Sequence, residues 1–467
     1  MIGEVRRDGL TKTRQFFWLL AAVLIAARLC HTGILWAEET LPLAAAQQMH
    51  AGKVLYRDIW FDKPPLAPAL YWALGAQAGW TLRLAGALYG LLACWIGYGF
   101  ARDLWSEREG LWAAALLGFF LVFDFPAAAV PLAADLLMLA PHLAAVWLAY
   151  RRRPFWSGAV AGVALLTSPK AVLVLAACVV WYPAGWAMMA AGFAAVGSLG
   201  AAWLWGAGAL VPYWDEVWRW GRLYAGSTFV EAPVQNGVVR TLGWLGFHSG
   251  AVLLACQRKT GVLRHWVGWT VISFVGVAAG LRFFPRYYFQ LLPILVLLAA
   301  RGFTMAGRKT RILAALLLLI PAVRFGPTYV AALRNHEWRD TAMDRDSRAA
   351  GALVRQLAKP GDTLLVWGYR PEIYVYAELP AATMFLDSQP LTGVPADRHL
   401  TQSAPVETEQ ARARRAELAR SHPTFVLDGL GTYNPRLGIG NYSDLREWFA
   451  SYREVSRTGQ TVVYRRK

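Results

Sequence analysis

The segment Trp36–Trp72, WAEETLPLAAAQQMHAGKVLYRDIWFDKPPLAPALYW, is charged where the sequence on either side of it is apolar. An apolar run ends near Leu35 and another begins near Thr81, so Glu38, Glu39, Arg57, Asp58, Asp62 and Lys63 sit beside a membrane. Charges at a bilayer are costly unless they are wet, paired or used. Carboxylates and cations gathered at that level, ahead of the rigid Pro64-Pro65, point to a reaction site facing a lipid-borne charged substrate.

The runs outside this segment decide the architecture. The chain has 467 residues, 56% of them hydrophobic, with 23 Trp, and a helix needs about 20 apolar residues to cross a bilayer. The first run, Phe16 to about Leu35, follows Arg6, Arg7, Lys12 and Arg14, carries Arg28 and lacks a small-residue cleavage site, so it reads as an uncleaved first span. Further runs lie at Thr81–Ala101, Gly110–Phe123, Leu132–Tyr150, Phe155–Ser168, Ala171–Pro183, Trp186–Leu210, Val238–Cys256, Trp266–Phe284, Tyr288–Ala300 and Ile312–Val330. Together they make about eleven spans.

With the N-terminus in the cytoplasm, Arg102/Arg108, Arg151-Arg152-Arg153, Arg258/Lys259/Arg264 and Arg301/Arg308/Lys309/Arg311 all fall on the cytoplasmic side, the bias that orients membrane helices. The net charge of +17 therefore reports topology and lipid headgroups, and no nucleic-acid-binding motif accompanies it. The same threading sends the 36–80 loop, the Asp124–Asp135 and Thr167–Lys170 turns, the Val211–Val238 loop and Arg282–Tyr287 to the opposite face. Cys30, Cys94, Cys178 and Cys256 lie in or at the ends of apolar runs and show neither a disulfide framework nor zinc spacing.

From about Ala331 the composition changes. Asp362–Gly368, Thr424–Asp428 and Gln460–Arg465 read as short strands, and Val406–Ser421 and Tyr442–Tyr452 as amphipathic helices. The expected fold is a polytopic α-helical membrane protein, residues 1–330, with residues 36–80 as its first external loop. A small extracytoplasmic α/β domain, residues 331–467, follows and reads as a lid or acceptor-binding module.

The acidic pair after the first span, followed by FDKPPLAPALYW, resembles the first external loop of GT-C membrane glycosyltransferases, in the protein O-mannosyltransferase-like and aminoarabinose-transferase-like branch. Ala134-Asp135-Leu136 at the start of the fourth span and PRYYFQLLP at Pro285–Pro293 match further, and LTSPKAV resembles a family turn with its lysine, Lys170, displaced by two positions. The resemblance covers about the first 330 residues. It implies an inverting enzyme that takes a sugar from a polyprenyl-phosphate carrier and places it on a protein, glycan or lipid hydroxyl outside the cytoplasm, in a bacterial inner membrane. The chain departs from the pattern in two places: Glu38-Glu39 stands where Asp-Glu is usual, and Leu41 follows Thr40 where the aminoarabinose transferases carry Arg, which disfavours that branch.

The chemistry asks for the same residue types. Displacement at an anomeric carbon needs a carboxylate to take the acceptor's proton and cations to hold the charge growing on the departing phosphate. Glu38 or Glu39 suits the first role, Glu38 by position in the family pattern, with Asp135 as the second carboxylate. Lys63 and Arg286 suit the second role, joined by Tyr287 and Lys170. A divalent metal would fit between carboxylates and phosphate, but the sequence has no dedicated site and none is required.

Each residue also has a plainer reading. Glu38 and Glu39 would favour a helix N-terminus; Lys63 would snorkel to the interface; Asp135 would pair with a basic residue; Arg286 and Tyr287 would anchor at the interface. Tyr213–Tyr224, YWDEVWRWGRLY, reads as an interfacial helix with Trp on its membrane face, although stacking on a sugar ring would use the same residues. His31 and His142 border spans and read as core or interfacial residues. Gly86/Gly90 and Gly158/Gly162 read as helix-packing pairs. A lipid or polysaccharide transporter is the rival reading, but it needs polar groups near the bilayer midplane, whereas these gather at one surface.

Overall fold

A computed structural model of the protein describes residues 2–226, 232–257, 263–334, 336, 339–395 and 401–467, without the side chains of 2–10 and 339–340. Arg258 and Lys259 of the expected cytoplasmic charges, and residues 227–231 of the Val211–Val238 loop, lie outside the described residues. The chain forms two compact units: Met1–Gly33, Gly79–Trp203 and Ala225–His336 make the first, and Ile34–Ala78, Leu204–Tyr224 and Glu337–Lys467 the second.

The first unit is the helical part of a polytopic membrane protein. Among the described residues, four helices are long and apolar enough to cross a membrane: Trp80–Leu104, Pro183–Gly206, Pro285–Met305 and Arg308–Leu333. The first run, expected to reach about Leu35, is helical only to the end of the 28-residue helix Ile2–Leu29. Other runs form shorter apolar helices, among them Ala134–Tyr150, Pro154–Leu165 and Ala171–Trp181. Val238–Cys256, expected as one straight span, is two helices, Pro233–Phe247 and Ser249–Cys256, meeting at 81°. The bend falls at His248, whose ring is tied to the Trp244 carbonyl at 2.9 Å and to Asp124 Oδ2 at 3.1 Å.

A charge inside a span must find partners in the protein. Arg28 is buried, and its guanidinium donates to the carbonyls of Ala129 and Val130 at 2.6 Å each. Small residues let the backbones meet. A Cβ on Gly158 would lie 1.8 Å from the Met189 carbonyl oxygen, and one on Gly192 would lie 2.0 Å from that of Phe155. Pro154–Leu165 thus packs on Trp186–Gly206 at a distance only glycine allows.

The second unit is built on a four-stranded sheet, β1 (Leu364–Trp367), β2 (Phe425–Asp428), β3 (Tyr452–Arg457) and β4 (Val462–Arg466), in the order β1-β2-β4-β3. β1 runs parallel to β2, and the other pairs are antiparallel. β1 and β2 are buried along their whole length, so LLVW and FVLD read as continuous apolar runs rather than alternating ones. Glu409–Leu418 forms a helix inside the expected Val406–Ser421. Tyr442–Tyr452 does not form one helix. It breaks into the turns Ser443–Leu445 and Arg446–Phe449 and then enters β3, an edge strand with most residues exposed and so with no alternation to announce it.

The loop after the first helix belongs to this unit's core. Trp60 and Trp220 pack with Trp367, Leu365, Val426 and Phe385 in one apolar cluster. The Trp60 amide donates to the Met384 carbonyl at 2.9 Å, and Gln48 Oε1 accepts from the Ala381 amide at 2.8 Å. Because Trp60 is only 1% exposed, Trp60→Ala should cost about 3–5 kcal/mol and lower the melting temperature of the reconstituted protein clearly. Trp18→Ala, at a position 72% exposed, should leave melting unchanged. Equal melting of the two variants would contradict this packing.

Candidate active site

In the second unit the acidic pair starts a helix, Ala37–His50, with Trp36 as its cap. Glu39 is fully buried, and its Oε1 accepts from the Trp36 amide at 2.9 Å, satisfying a donor the helix cannot. Glu38, one residue earlier in the same first turn, is half-buried. Glu39 therefore takes the helix-terminus role set beside its chemical one.

Lys63 is positioned by its backbone. Tyr56, at φ +67° and fully buried, donates its hydroxyl to the Lys63 carbonyl at 2.7 Å, and Pro64-Pro65 fix the chain beyond. The Lys63 amine lies 3.9 Å from Asp62 Oδ1. Two further carboxyls stand near this loop, and neither stood out in the sequence. Glu216 Oε2 accepts from the Phe61 amide at 2.8 Å. Burial pushes the Glu216 carboxyl up to about 9, with the Phe61 amide and Arg414 working against the rise and Asp62 and Asp215 adding to it. Asp387 accepts from the backbone and side-chain nitrogens of Gln389, both at 2.9 Å. Burial raises it to about 7, Gln389 opposes that, and the charge of Asp62 adds to it.

The first unit brings four of the anticipated residues together. Asp135 lies in the first turn of Ala134–Tyr150, where the helix dipole favours an acid. Lys170 caps Ala171–Trp181, and its amine stands 3.6 Å from the centre of the Tyr287 ring. The Arg286 guanidinium is 5.6 Å from that same ring and 5.7 Å from Phe284. Burial lowers the Lys170 amine to about 8, and Asp135 resists the shift. Lys170, displaced by two positions from the family turn, is thus joined to Asp135, Arg286 and Tyr287 by the fold. Such a cluster can take an anion: two cations and a phenol ring with one carboxylate to orient them. Among the described residues no group of three or more His, Cys, Asp or Glu is arranged to hold a metal ion.

No family model and no curated protein matches the sequence. The structure does have relatives. It is similar to ArnT from Cupriavidus metallidurans bound to undecaprenyl phosphate, with a TM-score of 0.61 and 16% identity over 97% of this chain and 98% of that one. The likeness to the apo state of the same protein gives 0.59 and 16%, covering 98% of each chain. The fold is that of the GT-C glycosyltransferases. A weaker likeness, with a TM-score of 0.47 and 13% identity, links 97% of the chain to 73% of the Archaeoglobus fulgidus oligosaccharyltransferase in complex with Zn and sulfate. Being present over essentially the whole length of both chains, the GT-C likeness takes in the C-terminal sheet as well as the helices.

The buried carboxyl at residue 216 gives a pH signature. Near pH 4 Glu216 is protonated in folded and unfolded protein alike, so wild type and Glu216→Gln should melt together. Between about 4.5 and 9 the unfolded carboxyl is ionised and the folded one is not. Wild type should lose stability as pH rises through that window, by up to about 1.4 kcal/mol per unit, and the glutamine variant should be spared that part of the loss. Melting curves that stay parallel across the range would rule out a protonated Glu216.

Proposed function

We propose that the protein is an inverting membrane glycosyltransferase. It moves a sugar from a polyprenyl-phosphate donor to a hydroxyl of a protein, glycan or lipid acceptor on the extracytoplasmic face of a bacterial inner membrane. The observation that carries this reading is the cluster of Lys170, Arg286 and Tyr287 beside Asp135 at the ends of apolar helices. It is an anion site at the level where a lipid-borne phosphate travels. The fold shared with ArnT, a protein crystallised with undecaprenyl phosphate, supports the same donor class.

In this reading the acceptor oxygen attacks the anomeric carbon as the bond from that carbon to the phosphate oxygen breaks. The configuration inverts, and the acceptor's proton goes to a carboxylate, the role for which Glu38 is proposed. Polyprenyl phosphate leaves, its new charge held by Lys170 and Arg286, with Tyr287 holding the Lys170 amine over its ring. Asp135 orients the Lys170 amine and is the second carboxylate. Glu39 holds the helix end that presents Glu38. The reaction is a transfer between two oxygens and calls for no oxidant or reductant. Both mannose and other hexoses or pentoses satisfy it.

Glu38→Gln should lower kcat by about 10²–10⁴, the usual worth of a general base, with donor binding intact. Transfer of a radiolabelled sugar from a polyprenyl-phosphate donor measures it, and mass spectrometry of envelope glycans and exported proteins with and without the protein names the acceptor. Full activity in Glu38→Gln would remove the proposed base. Lys170 adds a second signature. As its amine loses its proton through about pH 8, donor affinity should fall, and Lys170→Arg should carry binding to higher pH because a guanidinium stays charged. An unchanged profile in that variant would free Lys170 of the phosphate role.

A further inference from the structure

The Tyr213–Tyr224 stretch is not a simple interfacial helix. Trp214–Arg219 is wound as a π-helix, a form that is rare and recurs at functional sites. Trp214 stays half-exposed, whereas Trp220 turns inward, packs edge-on against Trp60 at 5.5 Å and is only 9% exposed. Facing it is the helix Glu409–Leu418. That helix is fastened by Arg415, which is buried and bonded to Asp444, Glu407 and the Leu391 carbonyl. Between them lies a cavity of about 220 Å³, lined by Asp215, Arg219, Trp220, Leu223, Gln410 and Arg414.

The cavity is small. Pockets for drug-sized ligands run to about 300–1,000 Å³, so this one suits a single ring. Its lining is mixed in a particular way. Trp220 and Leu223 give an apolar wall; Asp215 and Gln410 can accept from hydroxyls; Arg219, Arg414 and Gln410 can donate to them. The Trp220 ring presents its carbon face to the cavity, with its N–H turned into the core beside Trp60. Arg414 lies over both rings, 5.4 Å from Trp220 and 6.0 Å from Trp60, and makes no ion pair among the described residues. A ligand that is apolar on its face and rich in hydroxyls on its rim would lay the one against Trp220 and Leu223 and turn the other to Asp215, Gln410 and Arg414. A pyranose ring has that character.

We propose that this cavity is a subsite for a sugar unit of the acceptor, set in the second unit by Asp215, Trp220, Gln410 and Arg414. The assignment of that sugar to the acceptor rests on the glycosyltransferase reading above. It narrows the acceptor class to glycans and glycolipids, and the subsite selects by hydroxyl pattern.

The test is saturation-transfer NMR on the full-length protein in nanodiscs, with methyl α-mannopyranoside, methyl α-glucopyranoside and N-acetylglucosamine as probes and glycerol and inorganic phosphate as controls. At least one glycoside should bind, and glycerol and phosphate should not. Arg414→Met should weaken binding about tenfold, the worth of a hydrogen bond to a charged group, and Trp220→Phe should weaken it severalfold by shrinking the stacking face, while Glu38→Gln should bind as wild type does. Trp220→Phe keeps an aromatic face but narrows it by the five-membered ring of the indole, and melting curves verify that both variants fold. Binding of no glycoside, of phosphate alone, or unaltered binding in both variants overturns the subsite. Transfer assays then separate the two claims. A glycan acceptor's KM should rise in Arg414→Met with kcat unchanged, whereas glycoside binding in a protein that transfers nothing from any polyprenyl-phosphate donor would sink the glycosyltransferase reading and leave the sugar site standing.

Discussion

The seating of Trp60 in the core of the C-terminal sheet is the contact on which the rest of the second unit depends. Residues 34–78 have two helices and no sheet of their own, and ordering such a segment costs about 1–2 kcal/mol per residue in backbone entropy alone. The segment offsets that cost through anchors remote in sequence: Trp60 in the apolar cluster, the Trp60 amide on Met384, the Phe61 amide on Glu216, and Gln48 on Ala381. Lys63 stands three residues beyond Trp60. Its position is therefore set by a core assembled from residues near 220, 367 and 426, and a substitution in that core reaches the lysine without touching it.

This explains what was and was not legible in the sequence. Apolar runs announce helices, so the membrane part could be read, and the FDKPP segment stood out because its charges are local. The buried strands LLVW and FVLD were readable for the same reason. Non-local placement was not. Nothing near Trp60 says that it belongs with Trp367, and nothing near Asp387 says that it will feel the charge of Asp62. Glu216 is one acid in a Trp-rich stretch with several charges, and only the fold selects it to accept from Phe61. The break at His248 is equally invisible, because it depends on Asp124, 124 residues away.

Neighbouring carboxylates can be separated in role by helix geometry alone. Glu38 and Glu39 are chemically alike and adjacent, yet one residue along a helix is a rotation of about 100°. At the third helical position Glu39 reaches back to the Trp36 amide and disappears from solvent, while Glu38 at the second does not. A pair that looks redundant in sequence thus divides into one group that holds the helix end and one that does not. The usual Asp in place of Glu38 would keep that division, since the capping residue is the second of the two.

Lys63 lies among carboxyls whose charge burial reduces. Three carboxyls lie within electrostatic reach of this loop: Asp62, Glu216 and Asp387. If all were ionised, they would overwhelm one ammonium, and a phosphate would meet net negative charge. Burial prevents this. Burial raises Glu216 to about 9 and Asp387 to about 7, so both carry less charge near neutral pH than exposed carboxyls do. Asp62, at 3.9 Å, is too distant for a close hydrogen bond to the Lys63 amine. Glu216 accepts the Phe61 amide and Asp387 accepts from Gln389, bonds that a carboxyl makes in either state, so the loop keeps its fastenings as its negative charge falls.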